Sequence, residues 1–206
     1  MSLNFSNHFF NFSEKNESMR KHIAGPLMLV SLFFLNCTLE SNNADKHPIP
    51  HQKITWDDFK GDIDPNSKFY AMTWWYVRYS YSSPVFKNQR AWVDIKVSYG
   101  LKDNSWYKPG KISDELLNHE QGHLNIAYLL ALDLHNIYRK AVFSKTNYKS
   151  QIDAIYKNTE AKYLEMEKRY DLETNHMYNL RTQKLWDTFF EKEAKRLLKI
   201  SESLNR

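Results

Sequence analysis

The sequence predicts an α+β domain in which a small N-terminal antiparallel sheet packs on a long helix, with two further helices behind it. Three observations predict this. Residues 69–82 and 90–99 are rich in aromatic and β-branched side chains. In the second run Ala91, Val93, Ile95, Val97 and Tyr99 alternate with Trp92, Asp94, Lys96 and Ser98, which is the period of a half-buried strand. Beyond residue 113 the apolar residues change to helical spacing and keep it through three successive segments. The stretch that carries these patterns, about 150 residues, suits one domain with one core.

Ahead of the domain, residues 23–35 form an apolar run preceded by Met19-Arg20-Lys21 and followed by polar sequence. It is too short to span a bilayer and has the basic and apolar parts of a secretory signal. Residues 1–36 therefore read as a signal segment, with Met19 as an alternative start. Cys37, the only cysteine, stands two residues after the run, where a bacterial lipoprotein carries its acylated residue. Asn36 is unlike the small residue usual before that cysteine, so lipidation and simple cleavage both stay open. No intrachain disulfide can form in either case. Residues 37–52, with Ser41-Asn42-Asn43 and Pro48-Ile49-Pro50, read as anchor and tether, and 53–206 as the folded domain. The expected location is the bacterial cell envelope, lipid-anchored in the periplasm or on the surface, or the medium outside.

The charge is mild. From 29 basic and 24 acidic residues, loss of Lys15, Arg20, Lys21, Glu14 and Glu17 with the signal leaves 26 and 22, net +4. There is no basic stripe and no nucleic-acid motif, so nucleic acid is not an expected partner, and membrane contact is expected only through a lipid anchor.

The first helical segment opens at Ser113, a residue suited to an N-cap, with Asp114 and Glu115 in the first turn, and its pattern runs to about Val142. It contains His119-Glu120-Gln121-Gly122-His123. Residues four apart share a helix face about 6 Å apart along the axis, so the two imidazoles can converge on one metal ion. Glu120 points roughly 100° away, beside the metal, where a carboxylate can take a proton from an activated water. Leu116, Ile126, Leu130, Leu134, Ile137 and the preceding Ile112 fall on the histidine side of the helix. Two polar rings buried in such a stripe need partners, and a metal supplies one for both. Gly122 costs about 1 kcal/mol relative to alanine inside a helix, and the chain has only five glycines. Its missing side chain lets another segment, or substrate, come close.

Zinc in hydrolases usually takes three protein ligands and keeps one position open. His135 lies about 18 Å further along the same helix and is too far. The expected third ligand is His176, with Glu173 as the alternative, both in the donor-rich cluster Tyr170-Asp171-Leu172-Glu173-Thr174-Asn175-His176. That cluster falls between a helix expected from Ser150 to about Lys168 and another from about Met177 to Ile200. The donor that does not bind could orient one that does. Tyr170 and Tyr178 are candidates for holding an oxyanion. Trp74-Trp75-Tyr76 belong either to the core or to a pocket wall, and Trp56 and Phe59 to the core.

Three motifs in order carry a family resemblance: Ile54-Thr55-Trp56-Asp57-Asp58-Phe59-Lys60-Gly61, then Asn118-His119-Glu120-Gln121-Gly122-His123-Leu124-Asn125-Ile126-Ala127, then Tyr170 to His176. Over about residues 50 to 200 the chain resembles domain-of-unknown-function family 922, bacterial proteins described as predicted secreted zinc-dependent proteases. The resemblance implies a zincin-like layout, and one of the aromatic strands as the edge along which a peptide substrate is added. One departure is Met177, where the family tends to carry glycine after the late histidine.

The expectation is an exported zinc-dependent metallopeptidase that needs Zn2+ and no organic cofactor, with Glu120 as general base and a peptide or protein as substrate. The alternative is a metal-stabilised envelope lipoprotein that binds a partner and cleaves nothing. Glu120 separates them, because a purely structural site has no use for an adjacent base.

Overall fold

A computed structural model describes residues 49–204, all within one compact unit. The signal segment, Cys37 and the tether up to residue 48 lie outside the described residues. The elements in chain order are β1 (Ala71–Met72), β2 (Trp75–Tyr81), β3 (Val85–Lys87), β4 (Arg90–Trp92), β5 (Ile95–Leu101), β6 (Trp106–Tyr107), α1 (Asp114–Lys140), β7 (Phe143–Ser144), α2 (Tyr148–Thr174) and α3 (Leu180–Leu204). The domain is thus α+β, with strands before helices apart from the short β7.

Among the described residues the strands form three small antiparallel sheets: β1 with β6, β2 with β5, and β3–β4–β7. The main ladder pairs Trp75 with Leu101 through Tyr81 with Ile95. Its alternation buries Val77, Ile95 and Tyr99 on α1 while Arg78 and Lys96 face out. Each expected aromatic run is interrupted, the first at Thr73-Trp74 and the second at Val93-Asp94. At the first break Ser105 takes over the hydrogen bonding, accepting from the Trp74 N–H at 2.9 Å and donating to the Trp74 carbonyl at 3.0 Å. A side chain there replaces a ladder partner, which period alone cannot foretell.

Helix α1 is the central element and packs against α3, β5, α2 and β2. From Leu124 to Leu134 it is buried on almost every face, with Ile126, Leu129, Leu130, Leu132 and Leu134 fully enclosed. A helix apolar all round has to lie inside, and here three layers cover it. Ser113 accepts a hydrogen bond from the Leu116 N–H at 3.1 Å, Asp114 and Glu115 occupy the first turn, and Arg139 and Lys140 the last, each placed to favour the helix dipole. Ile112 precedes the helix and is exposed rather than part of the buried stripe.

The first family motif is a clamp on this helix. Thr55 and Asp58 close a single 3-10 turn, Phe59 is buried, and Gly61 abuts the Asn104 backbone so tightly that no side chain fits. Gln121 accepts a hydrogen bond from the Ile54 N–H at 2.9 Å and donates to the Gln52 carbonyl at 3.1 Å. Packing therefore begins before residue 53, with Ile49 already buried.

Helix α2 corrects the expected boundary. It does not stop near Lys168 but continues to Thr174, so the expected connection at 170–176 is mostly helix. Nothing between 169 and 174 breaks a helix; the stop is Asn175, in the left-handed conformation that commonly ends one. Asn179 donates to the Glu173 carbonyl at 3.2 Å and accepts from the Thr182 N–H at 3.2 Å, serving the end of α2 and the start of α3 together. Ile152, Thr159 and Tyr163 of α2 and Trp186, Phe190 and Leu197 of α3 are buried.

Candidate metal centre

His119, Glu120 and His123 share one buried region of α1, with 3%, 3% and 7% of their surface exposed. Their outer partners fix which ring nitrogens are available. Glu167 of α2 holds His123 Nδ1 at 2.7 Å, and the same carboxylate oxygen accepts from the Trp75 indole N–H at 3.2 Å. Gln183 Oε1 of α3 lies 3.3 Å from His119 Nδ1. Both helix histidines thus have Nδ1 occupied and present Nε2 inward, the usual arrangement of metal-ligating imidazoles.

Inside this frame stands Asp171. Its Oδ1 lies 3.3 Å from His119 Nε2, 3.3 Å from His123 Nε2 and 3.4 Å from His176 Nδ1. In a tetrahedral zinc site with bonds of about 2.0–2.1 Å, neighbouring donor atoms sit about 3.3–3.4 Å apart. The same oxygen is buried, yet no contact to it has hydrogen-bond geometry, and the same holds for Glu120 Oε2 and Glu167 Oε2. Three carboxylates converging on imidazoles in a buried pocket are costly without a compensating cation. The donor set, three ring nitrogens and a carboxylate oxygen, suits zinc. The residues fit the metal.

Without a cation His123 takes up charge. Burial disfavours the charged form of His123, but Glu167, then Asp171 and Glu120, outweigh it and raise its pKa well above the ordinary histidine value. Burial would likewise raise the Asp171 carboxyl, but His119 and His123 beside it hold it well below the usual carboxylate range.

The expected site residues divide. His176 is brought to the centre; its side chain is 40% exposed and packs against Phe69 with ring centroids 4.8 Å apart. Glu173 is not. Two residues after Asp171 on a helix it points to the opposite side, where Arg169 holds it at 3.1 Å and the Trp186 indole donates to it at 3.0 Å. Tyr170 is fully enclosed and donates its hydroxyl hydrogen to the His119 carbonyl at 2.9 Å, so it faces the helix and not substrate. Its ring stacks on the His119 ring at 4.9 Å and fills the space beside Gly122, where a methyl group would overlap it. The close approach that Gly122 allows is therefore made by Tyr170. Tyr178 is exposed and shares a hydrogen bond with Tyr70 at the rim.

Asp171 is the residue that sequence reasoning passed over, because histidine and glutamate are the commoner third ligands. The signal was helical: once α2 continues to Thr174, Leu164, Glu167 and Asp171 lie at i, i+3 and i+7 on one face. That face lines a cleft of about 790 Å³, opposite Trp74, Trp75 and Tyr76.

The link from α2 to α3 is strained. Asn175, His176 and Met177 all have positive φ, 49°, 49° and 83°. Position 177, where the resemblance leads one to expect glycine, is thus a position whose backbone favours glycine. Met177→Gly should stabilise the domain by about 1 kcal/mol, the relief of left-handed strain less the entropy cost of glycine. Thermal melts should show an increase of roughly 2–4 °C; an unchanged or lower midpoint would mean the backbone there is not strained.

No curated protein and no solved structure matches the chain. One family does: the profile of the family described as bacterial protein of unknown function (DUF922) matches residues 52–177, from the clamp at Gln52 through both helix histidines and Asp171 to His176 and Met177. The match covers more than half of the chain, which therefore belongs to this bacterial family, DUF922.

Proposed function

We propose that the protein is a zinc-dependent metallopeptidase of the bacterial envelope. The observation that carries this reading is Glu120. Its carboxylate is buried beside two imidazoles whose Nε2 atoms point inward at Asp171 Oδ1, its Oε2 has no hydrogen-bond partner among the described residues, and it opens on the cleft. A zinc ion held by His119 and His123 with a further donor would supply Lewis acidity, polarising a carbonyl and bringing the pKa of water to about 7. Glu120 would take the proton of the attacking water and return it to the leaving amine. Glu167 and Gln183 keep the two imidazoles in the tautomer that offers Nε2. Among the described residues strand β2 pairs only with β5, and Trp75, Tyr76, Val77 and Arg78 line the cleft, so an extended peptide could be added beside it. The envelope location rests on residues 23–35 and Cys37.

A second reading has an observation of its own. Ring nitrogens of His119, His123 and His176 each lie 3.3–3.4 Å from one Asp171 oxygen, and donor atoms of His119, Asp171 and His176 all lie within 4.8 Å of one another, a donor supply that could close a site completely, as structural zinc sites do. In that reading the protein is a metal-stabilised scaffold.

Zinc analysis of the purified full-length chain, combined with digestion of a peptide library, decides between them. About one zinc per chain is expected, with cleavage that a chelator abolishes and added zinc restores. A zinc-loaded chain that cleaves nothing supports the scaffold, and a chain that stays metal-free after reconstitution removes both readings.

A further inference from the structure

The four donors are not equivalent. Asp171 sits on the regular part of α2, its Oδ1 equidistant from both inward ring nitrogens and buried without a hydrogen-bond donor. His176 sits beyond the helix end, with positive φ on both sides of it as well as at its own position. Its side chain is 40% exposed, and its ring packs against Phe69. Moving the Asp171 backbone would mean unwinding or shifting a turn of α2, whose neighbouring residues Tyr170 and Thr174 are fully enclosed. Moving His176 needs only a rotation in a link that is already strained.

From this we infer that Asp171 is the permanent third protein ligand, alongside His119 and His123, and that His176 is an exchangeable fourth donor which closes the metal at rest and leaves to open a position for water and substrate. The inference rests on the metal reading above and deepens it. It reconciles four available donors with a base, Glu120, that a permanently closed site would not need. A donor released from the metal also stays at the cleft rim near Tyr178, where its N–H could reach a substrate carbonyl.

The test compares metal affinity across variants of the full-length chain. Zn2+ is titrated in competition with a chromophoric chelator, and Co2+ is added as a spectroscopic probe of coordination. Asp171→Asn keeps the shape but not the anionic oxygen and should weaken zinc binding by about 100-fold or more. His176→Ala should weaken it by no more than about tenfold. With His176 removed, water should take the position, so the visible Co2+ band should shift while keeping its intensity. Circular dichroism of the metal-free variants checks that each is folded. If Asp171→Asn is not, Asp171→Glu keeps the carboxylate and should bind zinc more tightly than Asp171→Ala. Zinc affinity in Asp171→Asn within threefold of wild type, or a loss in His176→Ala as large as in Asp171→Asn, overturns the assignment. So does equal zinc binding by Asp171→Glu and Asp171→Ala. Wild type that binds no zinc overturns the functional reading itself, a different outcome from either.

Discussion

Glu120→Gln is expected to lower peptide hydrolysis by about 10²–10⁴-fold while zinc content and melting temperature stay near wild type. The separation follows from the geometry. Glu120 Oε2 has no hydrogen-bond partner, so replacing it with an amide removes no structural contact. Glutamine has nearly the same size and accepts no proton at neutral pH. The measurement is kcat/KM on a fluorogenic peptide found in the library digestion, beside elemental analysis and a thermal melt. Activity within tenfold of wild type would exclude Glu120 as the base. A cellular phenotype equal to wild type would favour the scaffold.

The largest effect on stability is expected at Gly122. Gly122→Ala should gain about 1 kcal/mol in helix propensity. Against this, the added methyl would overlap the ring and hydroxyl of Tyr170, which is fully enclosed and cannot move freely. Overpacking costs about 1–3 kcal/mol. Displacing the Tyr170 hydroxyl from the His119 carbonyl and from Gln183, which donates to it at 2.8 Å, adds about 1–3 kcal/mol for unmet buried groups. The net expectation is a loss of about 1–5 kcal/mol, read as a midpoint lower by roughly 2–20 °C. Tyr170→Phe in the same chain removes the overlapping hydroxyl and should recover part of the loss. A single variant that melts with wild type would show that α1 and α2 separate easily at this point.

What the sequence made legible was local chemistry. The cap at Ser113, the common face of His119 and His123, the position of Glu120 beside it and the alternation around Ile95 all depend on spacing within one element. Partners contributed by distant elements were not legible. Glu167 and Asp171 gain meaning only when α2 is laid against α1, and Gln183 only when α3 is. The end of α2 was misjudged because a cluster of polar donors resembles a loop in composition, whereas Asn175 terminates the helix through its backbone conformation. Glycine at 122 signalled a close approach, but only packing identifies Tyr170 as the side chain that makes it.

The donors and their supports come from parts of the chain far apart in sequence: His123 is 44 residues from Glu167, and Trp75 is 92 residues from the same carboxylate. No unfolded or partly folded chain can present the constellation, so a cation would bind the native state almost alone. Mass action then makes its binding free energy part of the folding free energy of the whole domain. At a free concentration one thousand times the dissociation constant that contribution is about 4 kcal/mol, a large share of what holds a domain of this size together. Availability of metal would in that case govern how many copies persist in folded form, before it governs any reaction they carry out.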